Sequence, residues 1–271
     1  MARIVTQVSP DLDACLSVWL LRRFGGYGDT EVCFVSTGSR LPDDSDVIYV
    51  DTSGGKYDHH NTNERVCAAS LVFHDLKLES DEALRQLVDF AVLIDHGLLM
   101  DNDLGRFNVV HIIYGLNRIY PSSPEKVVEV SSHTFDSLYA YLWDEIRAAG
   151  DFEKAIRFET KWGSGVGVET SNRQVRYLAH DRGFRVFVFV DPKTGFRGFQ
   201  APGRSGVDFT ETYRRLKELE PGADWFLHAS KELLLCGSAK APEKRLSNLP
   251  LRELISLISV EELCGQDSQV S

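Results

Sequence analysis

Ile4-Val5-Thr6-Gln7-Val8-Ser9-Pro10-Asp11-Leu12-Asp13-Ala14 is the stretch on which the fold turns. Ile4 to Val8 is a short β-prone run, and Ser9-Pro10-Asp11 is a helix start with proline near the first turn. From Leu12 to Phe24 apolar residues recur at helical spacing, and Gly25-Gly26 ends the run. Two further β-prone runs follow, Glu31 to Val35 and Val47 to Val50, the second leading directly into Asp51. Cys67 to Phe73 and Glu82 to Ile94 read as helices. Strands alternating with helices predict a mainly parallel sheet, whose ligand sites lie beyond the C-terminal ends of its strands. Gln7, Asp11 and Asp51 fall at that edge.

Further along, Asn108 to Arg157 reads as mostly helical, with a break at Pro121-Ser122-Ser123-Pro124. Phe184 to Val190 is then an apolar β run, Asp191 to Gly195 a turn, and Phe196 to Gln200 its hairpin partner. A helix from Phe209 to Leu219, a strand from Trp225 to His228 and a helix near Leu249 to Ile258 complete a second, α+β unit. Gly163-Ser164-Gly165-Val166-Gly167 superficially resembles a phosphate loop, but no Lys-Ser/Thr follows it, so a hairpin turn is expected. This gives an α/β chain with an N-terminal domain over residues 1–120, a helical connector over 121–160, a smaller α+β domain over 161–264 and a frayed tail over 265–271.

Composition sets outer limits. A chain of 271 residues, 43% hydrophobic and 26% charged, fits two modest domains or one large one. No apolar run reaches the length of a membrane span, and the N-terminal residues lack the pattern of a signal peptide. The five cysteines are scattered, with no C-x-x-C pair, so reduced thiols and a cytoplasmic location are expected. A net charge of −10 argues against strong binding to long nucleic acid, which relies on many basic contacts to phosphates. It leaves room for a small phosphorylated substrate, because bound divalent cations reverse the local sign of an acidic site.

Four segments hold the chemistry: the Asp11/Asp13 pair, Asp51 after its strand, Asp58-His59-His60, and Asp95 at a helix end. Carboxylate oxygens mixed with imidazole nitrogens suit Mn²⁺ and similar ions, while the absence of ligating thiols disfavours structural zinc. Each segment has a plainer reading. Asp11 and Asp13 can cap a helix, Asp-His-His can be a solvated turn, and Asp95 competes with Asp89, Asp101 and Asp103 for its position.

Taken in order, P-D-x-D, strand-Asp, D-H-H and Asp resemble the four motifs of the DHH phosphoesterase superfamily. That superfamily includes RecJ-type exonucleases, nanoRNases, cyclic dinucleotide phosphodiesterases and type II inorganic pyrophosphatases. The nearest branch is the Myg-type family of DHH-like hydrolases, with likeness extending into Ala68 to Val72 and Phe226 to Ser230. The resemblance implies a DHH-type metal-binding domain and a C-terminal substrate domain. It places Asp11 and Asp51 on one metal, and Asp13, Asp51, His59 and Asp95 on another, with Asp51 bridging. His60 would stand beside the attacking water or the substrate phosphate. Gln7 occupies the position where the family has a histidine, and a neutral amide is the weaker ligand, so one ion or two remain open. Arg204 and Ser205 resemble the substrate domain's Arg-Ser element, with His228 and Lys231 near the same phosphate.

The implied function is a Mn²⁺-dependent phosphoesterase, with Mg²⁺ as the alternative ion, hydrolysing short oligonucleotides or nucleotide-like substrates. Asp51 and His60 would be the residues closest to the chemistry. Two alternatives stay open: a catalytically impaired nucleotide- or partner-binding protein, on account of Gln7, and an inorganic pyrophosphatase-like hydrolase. A homodimer is compatible with either.

Overall fold

The computed structural model describes residues 2–42, 46–99, 105 and 107–260. The expected tail, the competitors Asp101 and Asp103, and Cys264 lie outside the described residues. The chain divides into two compact units, Met1–Trp143 and Asp144–Ser271. Among the described residues it is a mixed α/β protein with eight helices and two sheets. No described helix is long and apolar enough to cross a membrane.

In the first unit, β1 (Arg3–Gln7) lies between β2 (Glu31–Val35) and β3 (Val47–Tyr49), and both pairings are parallel. Val5, Val35 and Tyr49 form a small cluster on one face of this sheet. Ile4 joins the main core with α1 (Leu12–Phe24). Every residue from Leu12 to Leu21 is buried, so α1 is a central helix with no solvent face along most of its length. Two charged ends explain its limits. The Asp11 carboxylate accepts the Ala14 N–H at the N-cap, and Arg22 and Arg23 sit in the last turn before Gly25.

Around α1 stand α2 (Ala68–Asp75), α3 (Glu82–Asp95), α4 (Val109–Ile119) and the long α5 (Pro124–Glu153). Trp19 binds α1 to α5, donating its indole N–H to Asp136 at 3.1 Å and meeting Phe135 and Tyr139 edge-on or tilted. Asp81, the N-cap of α3, accepts both the Leu84 N–H and the Tyr139 hydroxyl.

The second unit carries a six-stranded sheet in the order β4-β5-β6-β7-β9-β8. Its strands are β4 (Ile156–Thr160), β5 (Gly163–Glu169), β6 (Val186–Val190), β7 (Arg197–Gln200), β8 (Trp225–Leu227) and β9 (Leu233–Cys236). Only β5 and β6 pair in parallel, and α6 (Gln174–Asp181) links them. The helices α7 (Thr210–Leu219) and α8 (Leu251–Ser256) cover a core centred on Phe199, Phe209, Leu216, Leu234 and Leu254. Beyond α8 the chain returns to the outer side of β4, where Thr160 bridges Ser259 and Glu159 O accepts the Val260 N–H at 3.0 Å.

Two expectations are corrected here. Helix does not continue to Arg157, because α5 ends at Glu153 and Ile156, Phe158 and Thr160 face inward along β4 with period two. Gly163 to Gly167 is not a turn but the first part of β5. Its glycines are there for close approach, since a Cβ on Gly165 would lie 2.4 Å from the Phe158 ring and one on Gly167 2.5 Å from Ile255 Cδ1.

Candidate metal centre

Parallel pairing brings the C-terminal ends of β1 and β3 to one edge, which sets Gln7 beside Asp51. Asp51 is held tightly at that edge: Val50 bridges Tyr57, and the Asp51 N–H donates to Tyr57 O at 2.9 Å. Its φ of 53° lies in the left-handed region, a strained setting that aspartate tolerates better than most residues. The turn that follows needs glycine, because a Cβ on Gly55 would lie 2.3 Å from Tyr49 Cβ. Gln7 Nε2 donates to Asp51 Oδ2 at 2.8 Å, so the amide stands beside Asp51 and there supplies a hydrogen bond.

Asp13, in the first turn of α1, is buried and reaches the start of α2. The N–H groups of Ala68 and Ala69 donate to its two oxygens at 2.7 Å each. Asp11 has its Oδ1 on the Ala14 N–H. Helix α3 ends at Asp95, whose Oδ2 lies 3.7 Å from His59 Nδ1. The structure thus selects Asp95 over Asp89 among the described candidates. His96, the next residue, has its ring Nε2 3.0 Å from Val66 O.

His59 stands at the middle of these groups. Its Nε2 lies 3.3 Å from Asp51 Oδ1 and 3.5 Å from Asp13 Oδ2. The residue is 9% exposed, and that nitrogen has no hydrogen-bond partner among the described residues. His60 stacks on His59 with ring centroids 4.6 Å apart. Two groups of three ligand atoms lie close enough to share an ion: Asp51, His59 and His60, and Asp13, His59 and Asp95.

Burial drives the electrostatics. Loss of solvent pushes the Asp51 carboxyl up to about 9, with repulsion from Asp11, Asp13, Asp95 and Asp58 adding to it. Burial also raises Asp13 to about 6, against the pull of the Ala69 N–H, and raises Asp11. Such a concentration of negative charge is unfavourable without a cation. The nearest thiol is Cys67, which burial and the neighbouring Asp13 push up, so it stays a neutral group and not a soft ligand. An oxygen and imidazole donor set with an unpartnered buried nitrogen at its centre fits a hard or borderline divalent cation.

Asp58 was quoted in the sequence only as part of its motif, yet it has a distinct task. Its Oδ1 accepts the His60 N–H at 3.0 Å and lies 2.7 Å from His60 Nδ1, and its Oδ2 takes the Gly54 N–H at 2.6 Å. Burial alone would raise this carboxyl, but the bonds from His60 and Gly54 outweigh it and hold it below the usual range. The i to i+2 contact is a local Asx turn, and Asp two residues before His is its sequence signal.

The four residues expected in the second half gather in one loop cluster of the second unit. Glu232 fills the Arg204-Ser205-Gly206 turn, accepting from Arg204 N, Ser205 Oγ and Gly206 N at 3.0, 3.0 and 3.1 Å. Lys231 pairs with Asp208 at 3.0 Å, and His228 Nδ1 lies 2.9 Å from Ser230 Oγ. The turn is an anion-binding arrangement with a carboxylate of the same chain as its occupant.

With this geometry in place, comparison with known proteins gives the lineage. A family model described as ChrB, C-terminal domain, matches residues 4–142. The chain belongs to the ChrB C-terminal domain family. The match runs almost the whole length of the first unit, which holds all the proposed metal ligands. It corrects the expected membership of the DHH superfamily. Carboxylates and histidines in that order at a parallel-sheet edge are therefore found in a chain of the ChrB C-terminal domain family. No curated protein matches the chain. Among solved structures, an uncharacterized protein from Helicobacter pylori G27 aligns over 88% of this chain and 94% of its own, with 10% identity and a TM-score of 0.34. An exopolyphosphatase-related protein from Bacteroides fragilis aligns over 94% of this chain and 89% of its own, with 14% identity and a TM-score of 0.24. At those scores neither likeness carries an argument about this ChrB-family chain.

Proposed function

We propose that this chain is a divalent-cation-dependent phosphoesterase, with Mn²⁺ preferred and a short oligonucleotide or nucleotide-like phosphate as substrate. The observation that carries the reading is His59 Nε2, buried and unpartnered between Asp51 Oδ1 and Asp13 Oδ2. Asp13, Asp51, His59 and Asp95 would hold the ion. A divalent cation bound there would polarise a phosphoryl oxygen and acidify water. Asp58 keeps the Nδ1 side of His60 occupied, which turns the other face of a side chain 56% exposed toward solvent and an arriving phosphate. His60 can there hold a proton against a developing phosphoryl charge. The backbone at Asp51 and the Gln7 amide fix the carboxylate before substrate arrives, which removes reorganisation from the reaction.

The direct test incubates the purified chain with Mn²⁺ and dinucleotides, short RNAs, cyclic dinucleotides and pyrophosphate. Turnover of at least one class, lost on chelation and in His59→Ala, is expected. Absence of turnover across the panel refutes the enzyme reading. The Gln7–Asp51 hydrogen bond favours a second reading, a cation-dependent binding protein without turnover. Saturable, cation-dependent binding of an intact nucleotide, with no product formed, would establish it.

A further inference from the structure

Most carboxylate oxygens of the site already accept an N–H group, which leaves each of them a lone pair for an ion. Both oxygens of Asp13 already take N–H groups from the start of α2. Asp11 Oδ1 takes the Ala14 N–H, and both oxygens of Asp58 are engaged by Gly54 and His60. On Asp51, Oδ2 takes the Gln7 amide at 2.8 Å. Among the described residues Asp51 Oδ1 has no comparable donor; it faces the unpartnered His59 Nε2 at 3.3 Å and lies 4.0 Å from His60 Nδ1.

We propose that Gln7 makes this a one-ion centre: its amide N–H stands against Asp51 Oδ2, while Oδ1 is the oxygen that faces His59, so Asp51 serves a single cation through Oδ1 and is not shared between two. The inference rests on the cation-dependent reading above and adds to it the number of ions and the residue that sets it. The physical reason is local. A cation on Oδ2 would stand against the partial positive charge of the amide hydrogen, in a place where Asp51 is only 3% exposed and little water screens the repulsion. Turning the amide over would set Gln7 Oε1 against Oδ2, two acceptors face to face once Asp51 is ionised, an arrangement that needs a second cation between them. Gln7 is therefore a positioning residue. It aims Oδ1 at the ion and fills the position through which a second ion would be bridged.

Mn²⁺ titration calorimetry on the metal-stripped full chain, with electron paramagnetic resonance at saturation, reads this directly. Wild type is expected to take up one Mn²⁺ per chain and to show the hyperfine pattern of an isolated ion. Gln7→Glu exchanges the N–H donor for a carboxylate oxygen of nearly the same shape, and is expected to bring uptake to two ions with a spin-coupled spectrum. Gln7→Met removes the donor without adding a hard ligand, and is expected to keep one ion at roughly tenfold weaker affinity. Two coupled ions in wild type would overturn the one-ion centre while leaving the cation-dependent reading intact. A single ion in both wild type and Gln7→Glu would overturn the role given to Gln7. No saturable uptake by wild type would remove the cation-dependent reading itself, a result separate from the other two.

Discussion

Replacing Asp51 by asparagine should make the metal-free protein more stable while removing its response to Mn²⁺. Without a cation, the Asp51 carboxyl is pushed up to about 9 by burial and by the surrounding aspartates, from a starting value of 3.8. Between those values the folded chain binds a proton that the unfolded chain does not, so stability falls as pH rises across that window. At pH 7 the cost of keeping this side chain protonated in the fold reaches about 4 kcal/mol as an upper bound. Asparagine has the shape of the protonated acid, still offers an oxygen to Gln7, and accepts the left-handed backbone of position 51. A gain of about 1–4 kcal/mol is expected, because neighbouring Asp11 and Asp13 share the relief, and this raises Tm by roughly 3–10 °C. Differential scanning calorimetry at pH 7 with EDTA, then with Mn²⁺, measures both effects. Wild type should gain Tm with Mn²⁺ and the variant should not, and the fall in wild-type stability with pH should be shallower in the variant. A variant less stable than wild type in EDTA would refute the charge argument, and equal Mn²⁺ shifts in the two would refute the ligand role.

Three further outcomes are expected. Asp13→Ala leaves two buried N–H groups at the start of α2 without an acceptor, and should lower stability by about 1–3 kcal/mol in urea unfolding. Asp58→Ala removes the carboxylate 2.7 Å from His60 Nδ1, and should cut turnover roughly 10- to 100-fold while Mn²⁺ affinity changes little. Gly55→Ala drives a methyl group into the Tyr49 backbone and should destabilise by about 1–3 kcal/mol, read as a lower urea midpoint with an unchanged slope.

The first hundred residues were the legible part, and the reason is regularity. β1, α1 and β2 each show a clean period and a clear stop, and the observed bounds of α1 and β2 are those read from sequence. Asp51 could be singled out because an apolar strand runs straight into it. Sequence named Asp95 with close competitors, and among the described residues the position of His59 beside Asp95 separates it from Asp89. The helix-start amides that hold Asp13 were hidden: backbone N–H groups leave no mark in a sequence, and Ala68 lies 55 residues away. β5 was misread because glycine is a poor strand former, and its glycines are chosen by contact with Phe158 and Ile255. The family was misread for a different reason. The order and spacing of carboxylates and histidines do not by themselves identify a lineage.

The short return of the chain along β4 bears on self-association. A six-stranded open sheet has two rims, and an uncovered rim offers its amides and carbonyls to any passing strand. Here the rim at β4 is occupied by Ser259 and Val260 of the same chain. At the opposite rim, β8 is only three residues long, and the Asp224 N–H just before it is taken by Arg245 O at 2.8 Å. A few residues thereby cover part of one rim, while the other rim is kept short. Cutting the chain after Ile258 would leave the core untouched yet expose Glu159 and Thr160, turning a closed edge into one that recruits strands from neighbouring molecules.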